Sequence, residues 1–274
     1  MKWGLLEFQD LEPGIQQVSL NIAQLFRNEK RLKDFKKRLR LFRNSDNFTP
    51  SIYGEEKDGL LIYKTESIIP QKMEDARTTL LLLLGNPASH SVKGKMFFSY
   101  ERNKREHRFW KVLDKSGIFP FRSQVVDLDE RNQLRKQKLL NVDHNSPFRI
   151  GLATFYSMPS PATGKWAGVA GIRRLLRKNA FEQITKWEKE RIEDLIKRFA
   201  VPNGIVIAFQ KDAFLQIRLS DKPSYSLRRA IAGELKDKCQ CYPEVDIYCF
   251  PPTRLMYSSS KQLQELALKY AKND

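Results

Sequence analysis

Asn86 stands at the head of Gly85-Asn86-Pro87-Ala88-Ser89-His90-Ser91, directly after the five leucines Leu80 to Leu84. An amide removes no proton near neutral pH, but its oxygen accepts and its NH2 donates hydrogen bonds. On the dipeptide alone, Asn-Pro reads as a turn at a strand end. Hydroxyls at Ser89 and Ser91, the His90 imidazole and the Lys93 cation follow within seven residues. A second set lies near the C-terminus: Pro252-Thr253-Arg254, then Ser258 and Ser259. Serines placed there cap the last helix, and a helix N-terminus with free N–H groups binds phosphate. The chemistry on offer is hydrogen bonding and anion binding by neutral polar groups and cations.

The elements that must position these residues follow from the apolar pattern. Thr78 and Thr79 lead into the leucine run, which Gly-Asn-Pro stops after seven residues. So short a run is a strand buried on both faces. Such strands belong to parallel sheets covered by helices, with functional loops at the strands' carboxyl ends. Further strands are expected at Ile150–Phe155, Gly204–Phe209 and Val245–Phe250. Between them the pattern predicts a short helix on Phe109 to Leu113 stopped by Ser116-Gly117, a solvent-facing helix on Arg131–Lys138 and a long helical region over 169–200. A helix begins at Ala213–Ile217, and a last one carries Leu263, Leu266, Leu268 and Tyr270. This alternation argues for an α/β fold on a mostly parallel, four-stranded sheet.

Residues 1–75 read as an extension before residues 76–274. Asp10 to Gly14 is a turn. From Ser19 to Asn44 the pattern is helical, with Leu32, Phe35, Leu39 and Phe42 on one face and lysines and arginines on the other. That face fits a nucleic-acid contact, an ordinary solvated helix face or, third, a membrane-surface helix. Residues 51–70 suggest a hairpin packing as an extra edge on the main sheet.

Forty-nine Lys and Arg against thirty-two Asp and Glu give a formal charge of +17. A surface so basic attracts polyanions and gains from counterion release on nucleic acid. Cys239, Cys241 and Cys249 have neither the spacing of a zinc site nor the four thiolates of an iron–sulfur cluster, and read as free thiols in a reducing cell. Gly164-Lys165 is not a phosphate-binding loop, because Pro159 and Trp166 occupy positions where that motif needs Gly and Ser or Thr. No apolar segment approaches the roughly 20 residues of a membrane span. Met1 to Glu7 is too short for a secretion signal, so a cytoplasmic location, or a nuclear one in a eukaryote, is expected.

The order of these features carries a resemblance. An apolar strand, Gly85-Asn86-Pro87, small polar residues, Lys93-Gly94, Phe97-Phe98, and Arg108-Phe109-Trp110-Lys111-Val112-Leu113 together resemble the uracil-DNA glycosylase superfamily. The nearest likeness is to the mismatch-specific uracil and thymine branch, which carries Gly-x-Asn-Pro-Gly and Arg/His-Phe-Trp-Lys. Here Gly85 abuts Asn86 without a spacer and Ala88 replaces the second glycine. Pro252-Thr253 resembles the Pro-Ser core of the superfamily's second motif, with Pro251 replacing its first polar residue and Arg254 following early.

The resemblance implies a three-layer α/β/α domain over about 78–270. It implies a monomeric, monofunctional DNA glycosylase that removes uracil or a related deaminated or mismatched base from double- or single-stranded DNA, without metal or organic cofactor. Asn86 would hold the attacking water by its oxygen. Gly85, Pro87, Ala88, Ser89 and Thr253 would line the base, and Phe98 would stack on it. Ser91, Lys93, Pro252, Arg254, Ser258 and Ser259 would contact DNA, and His90 could donate to the leaving base. The alternative is a catalytically silent nucleic-acid-binding protein of the same fold. A glycosidase acting on mononucleotides is a third reading, against which the charge argues.

Overall fold

The chain begins in strands: the turn expected at Asp10 to Gly14 falls at Pro13-Gly14, and the helix expected from Ser19 starts three residues later. β1 (Lys2–Trp3), β2 (Leu6–Glu12) and β3 (Ile15–Asn21) pair antiparallel in succession, and Pro13-Gly14 makes the turn with Gly14 at φ +83°. Leu6, Phe8, Ile15, Val18 and Leu20 face the interior, so apolar alternation sets the strand even among glutamines. Helix starts only at α1 (Ile22–Leu25), capped by Asn21, and α2 (Glu29–Arg43). Asn28 caps α2 by accepting from the Arg31 N–H at 3.1 Å; Arg40 and Arg43 sit in its last turn, where cations favour the dipole. Phe35, Leu39 and Phe42 are its buried face.

Pro50 then winds Ser51 and Ile52 into α3 (Thr49–Ile52), so the hairpin expected over 51–70 is reduced to one antiparallel bridge, Tyr53 with Tyr63, beside which Gly54 N–H donates to Ile62 O at 2.9 Å. β4 (Leu60–Glu66) pairs instead with β3, with Val18 opposite Tyr63. β4 thereby completes a separate antiparallel sheet of order β1-β2-β3-β4, and the expected extra edge on the main sheet is limited to an antiparallel bridge between Ile68 and Leu152 of the later strand at 148–154.

The rest of the chain alternates strands and helices: β5 (Thr78–Leu84), α4 (Ser89–Lys93), α5 (Arg108–Lys115), α6 (Leu128–Leu140), β6 (Phe148–Thr154), α7 (Gly168–Leu176) and α8 (Lys178–Phe199). β7 (Ile205–Ala208), α9 (Lys211–Ile217), α10 (Leu227–Ala232), β8 (Lys236–Lys238), β9 (Asp246–Cys249) and α11 (Met256–Ala271) follow. The computed structural model describes residues 1–54, 58–71, 75–101, 104–251 and 256–271, with the backbone alone for 256–259. Among these, no helix is long and apolar enough to cross a membrane.

The fold is mixed α/β. The main sheet is mostly parallel and has five strands in the order β6-β5-β7-β9-β8. Four are the expected strands; the fifth, β8, is a short edge that pairs antiparallel with β9. β5 pairs parallel with β7, and β7 with β9. Because sequence order reverses direction across β5 and β7, their carboxyl ends are the topological switch point, where such sheets bind ligands.

By packing, the chain divides into two units, one of Met1–Ser67, Gly85–Phe97 and Thr154–Ile192, the other of Ile68–Leu84, Phe98–Ala153 and Glu193–Asp274. In the first, the α2 face meets an aromatic series: Phe26 stacks on Phe35 at 4.5 Å, and Phe42 meets Tyr53 and Trp166 edge-on. In the second, Leu80 to Leu83, Ile150, Leu152 and Ile205 to Ala208 are wholly buried.

Two helical expectations change. The region 169–200 is two helices, broken at Arg177, whose backbone is left-handed at φ +66°. α6 is not solvent-facing throughout, since Asn132, Arg135 and Lys136 are buried. Arg135 lies 5.5 Å from the centre of the Trp110 ring and 4.6 Å from that of Phe121, pairs with Glu106, and donates to Asn132 at 3.0 Å. Burial pushes its guanidinium down to about 10.

Candidate active site

Within the first unit, the loop after β5 lies against the segment that follows β6. Tyr156 N–H donates to Gly85 O at 2.9 Å, Ser160 N–H to Pro87 O at 3.0 Å, and Ser89 N–H to Ser160 O at 2.8 Å. Ala88 and Ser160 form a parallel bridge. Two loops thus behave as a short ladder, which satisfies buried backbone groups that a free loop would leave to water.

Asn86 sits inside this ladder, half-buried. Its Nδ2 donates to Pro87 O at 2.9 Å, Met158 O at 3.3 Å and Ser160 Oγ at 2.9 Å. Two of these acceptors are carbonyls, which only accept, so the amide cannot be turned over without losing both. Its Oδ1 faces Gly168, where a Cβ would stand 4.0 Å away, and no described residue donates to it. Gly168 keeps that space open and adopts φ +62°, which favours glycine. It is also the first residue of α7, so the positive end of that helix lies beside Oδ1.

Ser160 is the junction, with its Oγ accepting from Asn86 Nδ2 and, at 2.8 Å, from Gly168 N–H. No motif in the sequence singles out Ser160. The available signal was a serine between two prolines after the second buried strand.

Beneath this lies a buried polar network in the same unit. Glu188 is fully buried and accepts from Ser157 N–H at 2.6 Å, from the Ser157 hydroxyl, and from Arg191 Nε at 2.6 Å. Arg191 Nη2 donates to Thr154 O at 2.6 Å and Phe155 O at 3.0 Å. Tyr63 meets the Ser157 hydroxyl at 2.9 Å; burial and the Glu188 charge push its phenol far up, so it stays neutral.

The other expected site residues are distributed as follows. Gly85, Pro87 and Ala88 are backbone members of the ladder. Ser89 is fully buried and its hydroxyl meets Thr49 Oγ1 at 2.8 Å, so that group is engaged away from any ligand. Ser91 is buried too, whereas Lys93 is exposed. His90 lies edge-on to Phe48. In the second unit, Phe98 adopts φ +50°, its ring 4.6 Å from His107 and 4.4 Å from Phe109, while Trp110 Nε1 donates to its carbonyl at 3.2 Å. His107 caps α5 by accepting from Phe109 N–H at 3.1 Å. His144 is half-buried against Phe119, and burial followed by the Arg77 charge lowers it to about 4. Pro252, Thr253 and Arg254 lie outside the described residues, as do the side chains of Ser258 and Ser259, which fall in the first turn of α11.

The three cysteines form no disulfide; burial raises Cys239 and takes Cys249 to about 12, so both are protonated near neutrality. No group of three or more His, Cys, Asp or Glu suited to a metal ion occurs among the described residues. Compared with protein-family models and with curated proteins, the chain matches none.

Proposed function

We propose that the protein is a DNA glycosylase of uracil-DNA glycosylase type, built as a three-layer α/β/α domain with an N-terminal extension. It hydrolyses the N-glycosidic bond of uracil or a related deaminated or mismatched base flipped out of DNA. The observation that carries this reading is Asn86, with its amide nitrogen held by three acceptors and its oxygen left open beside Gly168 and the N-terminus of α7. An acceptor so fixed holds a water in one orientation without the entropy cost of arranging it during reaction. The water attacks the sugar carbon as the bond to the base breaks; the base leaves as an anion, and the water's proton passes to solvent. An amide lends no base strength, so turnover is slow and rests on placement.

Gly85, Pro87 and Ala88 offer backbone groups to the base, and Ser89 supports the loop. Lys93, Arg254 and the segment carrying Pro252, Ser258 and Ser259 contact the DNA backbone, with Ser91 as loop support. The charge of +17 favours a polymer over a mononucleotide.

Base release from uracil-containing duplex and single-stranded DNA, at enzyme excess and with alkali to reveal abasic sites, tests the reading. Release is expected, and Asn86→Ala should slow it by ~100-fold or more, the scale of losing a well-placed catalytic interaction. A second reading, a silent nucleic-acid-binding protein, draws on the abutting Gly85-Asn86 and on Pro251 where the resembling motif is polar. Salt-sensitive binding with no abasic product from uracil, hypoxanthine, xanthine or G·T substrates would establish it.

A further inference from the structure

A second polar feature of the first unit takes no part in the Asn86 loop. An open cleft of about 740 Å³ runs between the start of α2 and the α7–α8 junction. Arg27, Arg31, Arg38, Arg177 and Lys178 line it, against a single carboxylate, Asp34. Amides from Gln24, Asn28 and Gln183 add neutral donors. Among the described residues, no carboxylate lies within ion-pair distance of any of the five cations.

The cations are held there by structure. Arg38 Nε donates to Leu175 O at 2.8 Å, which ties α2 to the last turn of α7. Arg177 is carried into the cleft by the left-handed residue that breaks the 169–200 region in two. Burial, and after it the Arg177 charge, lower Arg38 from its ordinary value, so the two guanidiniums repel each other. Asp34 offsets part of this at Arg38, but five like charges around one carboxylate still oppose folding, and a further anion placed between them reverses the sign. α8 also begins at Lys178, with its positive dipole end at the cleft.

We propose that this cleft is an anchoring site for the phosphodiester backbone of nucleic acid, separate from the Asn86 loop. A small free anion calls for an enclosed pocket, whereas this cleft is open and its arginines, apart from Arg38, are exposed. Spread cations on a protein of charge +17 suit a chain of phosphates. The inference rests on nucleic acid as the partner class and not on base removal.

The test is binding of the full chain to an undamaged fluorescent duplex across a salt series, so the outcome is independent of any glycosylase activity. The native chain is compared with Arg27→Ala/Arg31→Ala/Arg177→Ala and with a control losing three exposed cations elsewhere, Lys197→Ala/Lys222→Ala/Lys261→Ala. Each phosphate contact contributes about 0.9 to the slope of log K against log salt, so the cleft variant should lose about 2–3 from its slope and bind at least ~10-fold more weakly at moderate salt. The control should lose less than a third of that. A second cleft variant, Arg27→Gln/Arg31→Gln/Lys178→Gln, leaves the left-handed residue in place and should behave like the first. Equal behaviour of both cleft variants and the control overturns the proposal. So does a loss confined to phosphatidylserine vesicles with duplex binding unchanged.

Discussion

The Asn86 loop and the basic cleft are both polar regions of the first unit, yet their hydrogen-bonding capacity is filled in opposite ways. Around Asn86 nearly every donor has an acceptor within 3.3 Å: three for the amide nitrogen, one for the Gly168 N–H, one for each ladder N–H. One acceptor, Oδ1, stays open. In the cleft, five cations share one carboxylate, and two of them repel. A closed network with one vacancy fixes a single small partner by geometry, and salt acts little on it. An open set of charges binds by field, tolerates many registers and weakens as salt rises. Under the function proposed above, the first pattern would place one water and the second would hold a long anion.

The largest expected effect tests the closed side of this contrast. Ser157, one residue before the Met158 carbonyl that holds Asn86, rests on Glu188, and Glu188 in turn pairs with Arg191. Glu188→Ala leaves the Arg191 guanidinium buried and unpaired, which costs about 3–5 kcal/mol. Urea denaturation at unchanged m-value measures it. By contrast Arg31→Ala, an exposed change in the cleft, should fall within about 0.5 kcal/mol of the native chain. If Glu188→Ala cost under ~1 kcal/mol, a range typical of surface changes, the loop would not depend on its network and the contrast would fail.

Ser160→Ala is expected to be smaller and more local. It removes the acceptor of the Gly168 N–H and one of three acceptors of Asn86 Nδ2. Leaving a buried donor unmet costs about 1–3 kcal/mol. Because Pro87 O and Met158 O remain, base release should fall by less than in Asn86→Ala, and the two substitutions combined should be less than additive. Full additivity in release would mean that Ser160 acts apart from Asn86.

Much of the main sheet was legible in the sequence because β5, β6 and β7 are buried on both faces, and such strands read as unbroken apolar runs. β2 and β3 were not legible. Only one face of each is covered, and Gln9, Gln16, Gln17 and Ser19 dilute the alternation, while the basic pattern of α2 extends its apparent helix backward. Asn86 stood out by its place at a strand end. Ser160 did not, because its partner is 74 positions away and no local spacing encodes the contact. The buried face of α6 was hidden for a related reason: Arg135 is accommodated by Trp110, Phe121 and Glu106 from distant positions. The break at Arg177 lacks the Gly or Pro that usually announces one.

That break supplies the smallest and most discriminating prediction. Arg177 is exposed and holds φ +66° with ψ 170°, a region nearly confined to glycine that costs another residue of order ~1–3 kcal/mol. A cation kept in such a backbone, facing a second guanidinium and without a carboxylate partner among the described residues, opposes stability twice. Arg177→Gly removes the backbone strain and the repulsion together. The variant should therefore be as stable as the native chain or up to about 1 kcal/mol more stable, and its salt slope on duplex should be shallower by about 0.9, one phosphate contact. Opposite signs in the two measurements are the signature of a residue retained for a ligand at the expense of the fold. A variant that lost stability with its salt slope unchanged would mark Arg177 as a helix-junction residue, and the cleft would be left with four cations and a weaker claim on phosphate.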